Sequence, residues 1–237
     1  MENNPTKGKK EQVRNMFNNI ASDYDFLNHF LSIGIDRCWR KITIDLIKKM
    51  KHDRILDVAT GTADLAIRAA KIDPKKIIGV DISDKMLEIG RKKIRSKNLE
   101  KLISLQNADS ENLPFPNESF DIAMAAFGVR NFEDLNKGIS EMFRVINSGG
   151  AIVVLEFSKP QKFPFKQIYF LYFQNILPFI GKIISKNKTA YSYLPESVST
   201  FPSGTEFLRV LKKNGFINNH FHSLTMGVAS VYVGKKQ

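Results

Sequence analysis

Short apolar runs and longer amphipathic stretches alternate along most of this chain. Before residue 51 the pattern is helical. After a polar tail at residues 1–10, Val13, Met16, Phe17 and Ile20 recur at spacings of three and four. A second run carries Ile42, Ile44, Leu46 and Ile47, with Lys48 and Lys49 as C-terminal charge. From residue 53 the runs shorten. Arg54–Val58 and Lys76–Val80 read as strands, each followed by a helix, first Ala63–Lys71 and then Ser83–Ser96 with Ser83 as its N-cap. Leu102–Gln106, Phe120–Ala126 and Ala151–Phe157 supply three more strands, and the helix Asp134–Ile146 before the last of them is expected to end at Gly149-Gly150. Thr205–Lys213 reads as a helix, and Phe216–Phe221 and Val228–Val233 as strands, with Gly227 marking a hairpin or bulge. Alternation with short connections predicts an α/β fold, a doubly wound, Rossmann-like parallel sheet. The expected organisation is an N-terminal helical cap over residues 1–50 and a main domain over 51–237.

Residues 163–184 break the rhythm. They are aromatic and apolar, but Lys166, Gln167, Gln174, Asn175 and Pro178 interrupt them, short of the roughly 20 predominantly apolar residues of a membrane span. The segment reads as a buried helix or as a lid over a greasy substrate, within an insertion at about 161–200. Charge adds a second hint. The net charge is +12, which suits an anionic membrane surface or nucleic acid. The basic residues are scattered and no helix-turn-helix, zinc-finger or RNP signature is present, so no nucleic-acid partner is expected. Cys38 is the single cysteine, which excludes an internal disulfide. The histidines lack metal-type spacing, so no metal is expected. The polar N-terminus has no apolar signal region, and a cytoplasmic location is expected.

Candidate chemistry gathers at the ends of the first three strands. Asp57-Val-Ala-Thr-Gly-Thr-Ala-Asp64 is a turn with one glycine, Gly61, where backbone can approach a ligand. Thr60 and Thr62 add hydroxyls, and Asp57 could accept from an amine through ordered water. The turn lacks both the G-x-G-x-x-G that seats a pyrophosphate and the G-K-[ST] of a P-loop, which argues against an NAD-dependent oxidoreductase. Val80-Asp81-Ile82 places a carboxylate 20 residues after Gly61, a spacing that suits a ribose diol. The bland alternative for Asp81 is an acid capping the next helix beside Ser83. After the third strand, Asp109 could accept from an adenine amino group with Ser110 beside the ring, or be an ordinary loop acid. As an ordered set, Asp57, Gly61, Thr62, Asp81, Ile82, Asp109 and Ser110 point to a nucleoside without pyrophosphate, namely S-adenosylmethionine.

At these residues the chain resembles class I S-adenosylmethionine-dependent methyltransferases, and closely resembles the quinone C-methyltransferases of the UbiE/MenG family. The likeness runs from about Val13 to Lys235. Its most selective pieces are Met16-Phe-Asn-Asn-Ile-Ala-Ser-Asp-Tyr-Asp25, Phe127-Gly-Val-Arg-Asn131, Leu155-Glu-Phe-Ser-Lys-Pro160 and Tyr193-Leu-Pro-Glu-Ser197. The resemblance implies a sheet of seven strands, mostly parallel with the last antiparallel. It puts cofactor contacts on Thr62, Asp81, Asp109 and Ser110, with Ala63 where many class I enzymes have glycine and Ala126 where some relatives have serine. It also implies C-methylation of a polyprenylated quinol, either a demethylmenaquinol in menaquinone biosynthesis or the methoxy-benzoquinol precursor of ubiquinone.

An aromatic ring carbon becomes a good nucleophile only when a neighbouring hydroxyl loses its proton, so the site needs a base or a cation that favours the phenolate. Arg130 is the first candidate and Asn131 could orient the same oxygen; a plain salt bridge is the alternative for Arg130. Tyr24, beside Asp25 in the N-terminal segment, could bond the substrate or cover the methionine end of the cofactor. His29 is a candidate base or a structural histidine, and Glu156 and Lys159 are expected to shape the pocket or to support it from behind. A prenylated quinol partitions into lipid, which fits peripheral docking on an anionic membrane surface. A homodimer is left open. The rival readings are a class I methyltransferase acting on another small molecule or RNA, and a non-catalytic protein that holds the cofactor as a structural ligand.

Overall fold

A computed structural model describes residues 8–32, 34–161, 163–164, 166–167, 171 and 188–237; for residues 23–31, 188–192 and 194 it describes backbone only. Seven strands form one sheet: β1 Arg54–Val58, β2 Lys76–Asp81, β3 Ile103–Asn107, β4 Phe120–Ala126, β5 Ile146–Phe157, β6 Ile217–Leu224 and β7 Ala229–Lys235. Their order is β3-β2-β1-β4-β5-β7-β6. The pairs on the β3 side of β5 are parallel, while β7 runs antiparallel to both β5 and β6. The helices of the described residues are α1 Lys9–Leu31, α2 Ile35–Ile47, α3 Asp64–Ala69, α4 Asp84–Arg95, α5 Leu135–Val145, α6 Lys188–Thr200 and α7 Thr205–Lys213.

Strand side chains alternate between faces, and the core divides accordingly. Ile55, Ile122, Met124, Val153, Leu155, Val231 and Val233 face a layer with Trp39, Ile44 and Ile47 of α2 and Leu65, Ala66 and Ala69 of α3. Leu56, Ala123, Ala125, Ile152, Val154 and Tyr232 face Ile139, Met142 and Val145 of α5 and Phe207 and Leu211 of α7. Both faces are covered, as near-continuous apolar strands require. A third, smaller cluster joins Ile20 and Ala21 of α1 to Met86 of α4, so the N-terminal segment lies against the sheet domain at the end of β2.

Several boundaries differ from the sequence expectation. The helix after β1 begins at Asp64 because Ala63 is left-handed (φ 67°), and it tightens into a 3₁₀ turn at Ala70–Ile72. Gly149-Gly150 does not end α5. That helix stops at Val145, and Ile146 is already extended and paired with Phe120. Gly149 (φ 80°) instead lets β5 bend past a register shift, and a Cβ on Gly150 would sit 2.5 Å from the Asp121 carbonyl oxygen. Gly227 does lie between β6 and β7, in the turn Thr225–Gly227. Most of 163–184 lies outside the described residues, and with it the choice between buried helix and lid.

Candidate functional site

The strand order reverses between β1 and β4, and open α/β sheets bind ligands beyond the carboxyl ends of the strands at such a point. Here the backbone makes room in three ways. Ala59 and Phe127, which follow β1 and β4, both take left-handed conformations (φ 53° and 58°), at a cost of about 1 kcal/mol or more each for non-glycine residues. Between them Gly128 packs so closely that a Cβ there would lie 2.6 Å from Cβ of Ala59. Gly61 (φ 56°) completes the turn, which is tied to β2 by the bond from Thr60 N–H to the Val80 carbonyl (2.9 Å).

The result is a cleft of about 660 Å³, its open mouth included, lined by residues of α1 and of the β1, β2, β3 and β4 tips. Of the seven cofactor candidates, Gly61, Asp81, Ile82, Asp109 and Ser110 line it. Asp81 is held rigidly: one carboxylate oxygen accepts from Gly61 N–H and the other from Ser83 N–H, both at 2.9 Å. A carboxylate has about four lone-pair sites, so capacity remains for a diol. Burial raises its pKa, and the backbone N–H groups of Ser83, Gly61 and Ile82 oppose that rise. Asp109 accepts from Glu111 N–H at 2.9 Å and pairs with Lys10 at 2.7 Å.

Asp57 and Thr62 are placed elsewhere. Asp57 alternates away from the cleft into the α2–α3 layer, where it is 1% exposed, close to the Arg40 charge and the Ala66 N–H. It accepts from the Thr60 hydroxyl at 2.6 Å, and its other oxygen makes no hydrogen bond of normal geometry among the described residues. Burial pushes its pKa up to about 7. Asp57 supports the loop from behind through Thr60 and is not among the residues that line the cleft. Thr62 is buried and accepts from Lys93 (3.1 Å), which also bonds Asp64. It too stands behind the cleft rather than in its wall.

The first helix, part of the expected N-terminal cap, supplies one wall of the cleft. Val13 and Phe17 line the cleft, and Lys10 reaches across to both Asp109 (2.7 Å) and Glu111 (3.2 Å). Asn18 Oδ1 accepts from the Ser83 hydroxyl at 2.7 Å. Ser83 caps α4 as predicted, through Met86 N–H. The helical period made Val13 and Phe17 visible as one apolar face. No local signal pairs Lys10 with an acid 99 residues away. Tyr24 lies further along α1, and its side chain, like that of His29, lies outside the described residues.

At the β4 end, Phe127, Gly128 and Asn131 line the cleft, whereas Arg130 does not. The Arg130 guanidinium turns behind it to Glu156 at the end of β5 (2.7 Å), in a pair whose side chains are only 7% and 0% exposed. Burial raises the Glu156 pKa and the Arg130 charge holds it down. Arg130 Nη1 also donates to the Phe127 carbonyl, and its Nε has no partner among the described residues. The salt bridge weighed as the alternative for Arg130 is thus present, and the guanidinium stands one layer behind Asn131. Beneath lies an aromatic cluster. Phe127 and Phe157 have ring centroids 4.6 Å apart, with Trp39 at 6.1 Å from each and Arg40 and Arg130 stacked at 5.3 Å over Phe127 and Phe157.

A cleft at the switch point, with Asp81 and Asn131 in its lining and Arg130 behind Asn131, is the arrangement expected of the family resembled in sequence. Residues 5–236 match the ubiE/COQ5 methyltransferase family. The chain belongs to that family. Among its relatives is a demethylmenaquinone methyltransferase of Bacteroides fragilis, 45% identical over 229 residues that cover 96% of this chain and 94% of the relative. A ubiquinone/menaquinone biosynthesis C-methyltransferase of Geotalea daltonii is likewise 45% identical, covering 96% of this chain and 97% of the relative. Among solved structures, a SAM-dependent methyltransferase of Thermotoga maritima superposes with a TM-score of 0.66 over 95% of this chain and 100% of its own, at 19% identity, which speaks to fold alone.

Proposed function

We propose that this methyltransferase uses S-adenosylmethionine to C-methylate the ring of a demethylmenaquinol. The single observation that carries the reading is the pairing of an Asp81-anchored nucleoside cleft with Asn131 at its far end, in a chain 45% identical to demethylmenaquinone methyltransferases. The residues present fit the cofactor. Asp81 offers acceptors for a diol, Gly61 offers bare backbone, and Ile82, Met86 and Ala108 offer apolar surface for a base. Asp81, Asp109, Glu111 and Glu133 in the lining outnumber the one ammonium, Lys10, so the field suits a cationic ligand.

When bound, S-adenosylmethionine supplies an electrophilic methyl group on a sulfonium. The chain's own task is placement, worth up to about 7–11 kcal/mol in well-oriented systems, and stabilisation of negative charge on the quinol oxygen. Asn131 stands where an acceptor meets the cleft. It directs an amide N–H at that oxygen, while Arg130, behind it and charge-compensated by Glu156, favours the phenolate from a second layer. Tyr24 remains a candidate for bonding the substrate or covering the methionine end of the cofactor.

The Geotalea relative's activity favours a second reading, in which the methoxy-benzoquinol of ubiquinone synthesis is also methylated. No helix among the described residues is long and apolar enough to cross a membrane. Exposed Phe163, Leu171 and Met226, with the basic Lys159 and Lys166, support peripheral docking of a cytoplasmic enzyme on an anionic bilayer. Flotation with anionic liposomes at low salt should carry the enzyme upward; protein left at the bottom removes the docking idea. The substrate reading is tested by incubating purified enzyme and cofactor separately with a demethylmenaquinol, the methoxy-benzoquinol and bulk RNA, and following methyl incorporation by mass spectrometry. Methylated menaquinol is expected, and incorporation into RNA alone would overturn the proposal.

A further inference from the structure

The Asn131 amide has two faces, and which one meets the acceptor decides whether the site offers a donor or an acceptor. The backbone settles one side of this. Phe127, in its left-handed conformation, presents a carbonyl that receives both Arg130 Nη1 and Asn131 Nδ2, the latter at 3.4 Å. A carbonyl oxygen can only accept, so the nitrogen of the amide faces it and Oδ1 must look elsewhere. Oδ1 meets the hydroxyl of Tyr193 at 3.1 Å, and that hydroxyl must then be the donor. The contact joins residues 62 apart in sequence. Tyr193 stands on α6, whose Ser197 and Val198 are buried and whose Ser199 carbonyl accepts from Lys159.

We propose that Tyr193 is a positioning residue for methyl transfer, acting through Asn131: its O–H fixes the amide so that one Nδ2–H remains for the oxygen of the acceptor. The inference rests on the substrate reading above. Its force comes from relative strength. At 3.4 Å the bond to Phe127 is at the long end of the hydrogen-bond range, so the 3.1 Å bond from Tyr193 is the firmer anchor. Burial raises the Tyr193 pKa, so the phenol keeps its proton at neutral pH and remains a donor. Without the hydroxyl the amide can rotate, and a rotated amide turns its oxygen toward a developing phenolate, which repels it. The network thus runs from Glu156 through Arg130, the Phe127 carbonyl and Asn131 to Tyr193, and joins β5, β4 and α6 at one end of the cleft.

The test compares wild type, Tyr193→Phe, Asn131→Ala and the double variant in steady-state methylation of a demethylmenaquinol, with cofactor affinity measured by calorimetry. Tyr193→Phe should lose about 10- to 100-fold in kcat, keep KM for the quinol within about 3-fold and leave cofactor affinity unchanged. The double variant should be no slower than Asn131→Ala, because residues acting as one unit are not additive. Wild-type kcat in Tyr193→Phe, or a double variant slower than Asn131→Ala, overturns the inference. As a second measurement, 3,5-difluorotyrosine at position 193 lowers the phenol's pKa, and kcat should then fall at a lower pH than in wild type; an unmoved profile overturns the inference equally. A wild-type enzyme that methylates no quinol overturns the substrate reading itself, and this inference with it.

Discussion

The two ends of the cleft are built on different principles. At the tips of β1, β2 and β3 the carboxylates proposed to hold a nucleoside come from short turns, and each accepts from backbone within a few residues or from one neighbouring turn, Asp81 from Gly61 and Ser83 and Asp109 from Glu111, with Lys10 of α1 as the one long-range partner of Asp109. At the tips of β4 and β5 the groups are fixed by one another over long separations, Arg130 by Glu156 and Asn131 by Tyr193. One end is a scaffold of backbone donors around carboxylates, the other a buried network of side chains. Buried networks concentrate stability risk, because losing one member strands the rest. The ends should therefore respond in opposite ways to substitution.

The largest effect is expected at Glu156. Glu156→Ala leaves the Arg130 charge buried and unpaired, and should cost about 3–5 kcal/mol of stability, read from the urea midpoint. Cofactor affinity of the fraction that still folds should stay close to wild type. If Glu156→Ala is nearly neutral in stability, the Arg130 end is more solvated than its 7% exposure indicates, and the contrast between the ends is lost.

Asp57 sharpens the comparison from beneath the nucleoside end. Its folded pKa of about 7 lies above the ordinary carboxylate value of 3.8. The folded chain therefore holds a proton that the unfolded chain has released between about pH 4 and 7. Stability from this group is full below pH 4, falls by about 1.4 kcal/mol per pH unit through that window, and is flat above it. Asp57→Asn removes the titration. The Thr60 hydroxyl can accept from the new amide as well as donate. The variant should be the more stable chain, by a few kcal/mol at most, above pH 7, with the advantage shrinking toward zero near pH 4. Thermal midpoints at pH 4.5, 6 and 8 read this directly. A constant difference between variant and wild type across that range would mean Asp57 ionises normally.

Asp81 gives the converse of Glu156. Asp81→Ala deprives Gly61 N–H and Ser83 N–H of their partner and removes the acceptors for the diol. Calorimetry should show cofactor binding weakened about 100-fold or more, consistent with two charge-assisted hydrogen bonds at about 1.5–3 kcal/mol each. Stability loss should be smaller than for Glu156→Ala, because neutral N–H groups rather than a buried charge lose their partner, and Gly61 lines the cleft, where its N–H can take water. Unchanged cofactor affinity would remove the nucleoside assignment of this end.

The same contrast explains what could be read from sequence. Strand–helix alternation located all seven strands, because apolar runs bounded by Gly, Asp and Asn are local signals. The spacing from Gly61 to Asp81 was legible because one βαβ unit fixes it. Resemblance brought Arg130 and Asn131 to notice, but no spacing shows which side of the β4 tip a guanidinium takes. Glu156 lies 26 residues away and its claim on Arg130 is a tertiary fact. The contacts of Lys10 with Asp109 and of Tyr193 with Asn131 escaped the sequence for the same reason. The layer of Asp57 was less legible: it sits at a strand end as read, and strand alternation turns its side chain to the layer of Ile55 rather than that of Leu56.

The smallest effect separates a motif's letter from its physics. Ala63 stands in the nucleoside turn at φ 67°, ψ 23°, where an alanine is strained by about 1–2 kcal/mol and a glycine is not. Three terms decide Ala63→Gly. Relief of strain favours the variant. Greater freedom of the unfolded chain opposes it by about 0.4–1 kcal/mol. Loss of a fully buried methyl group, packed beside Gly90, opposes it by about 0.8 kcal/mol. The sum is expected to lie within about 1 kcal/mol of zero, a shift of no more than about 2–4 °C in thermal midpoint for a chain of this size. Cofactor affinity should be unchanged within about 3-fold, since Ala63 is not in the cleft wall. A loss above about 2 kcal/mol would show that the methyl group is a packing element the turn cannot spare. The nucleoside end would then depend on buried side chains after all, as the acceptor end does.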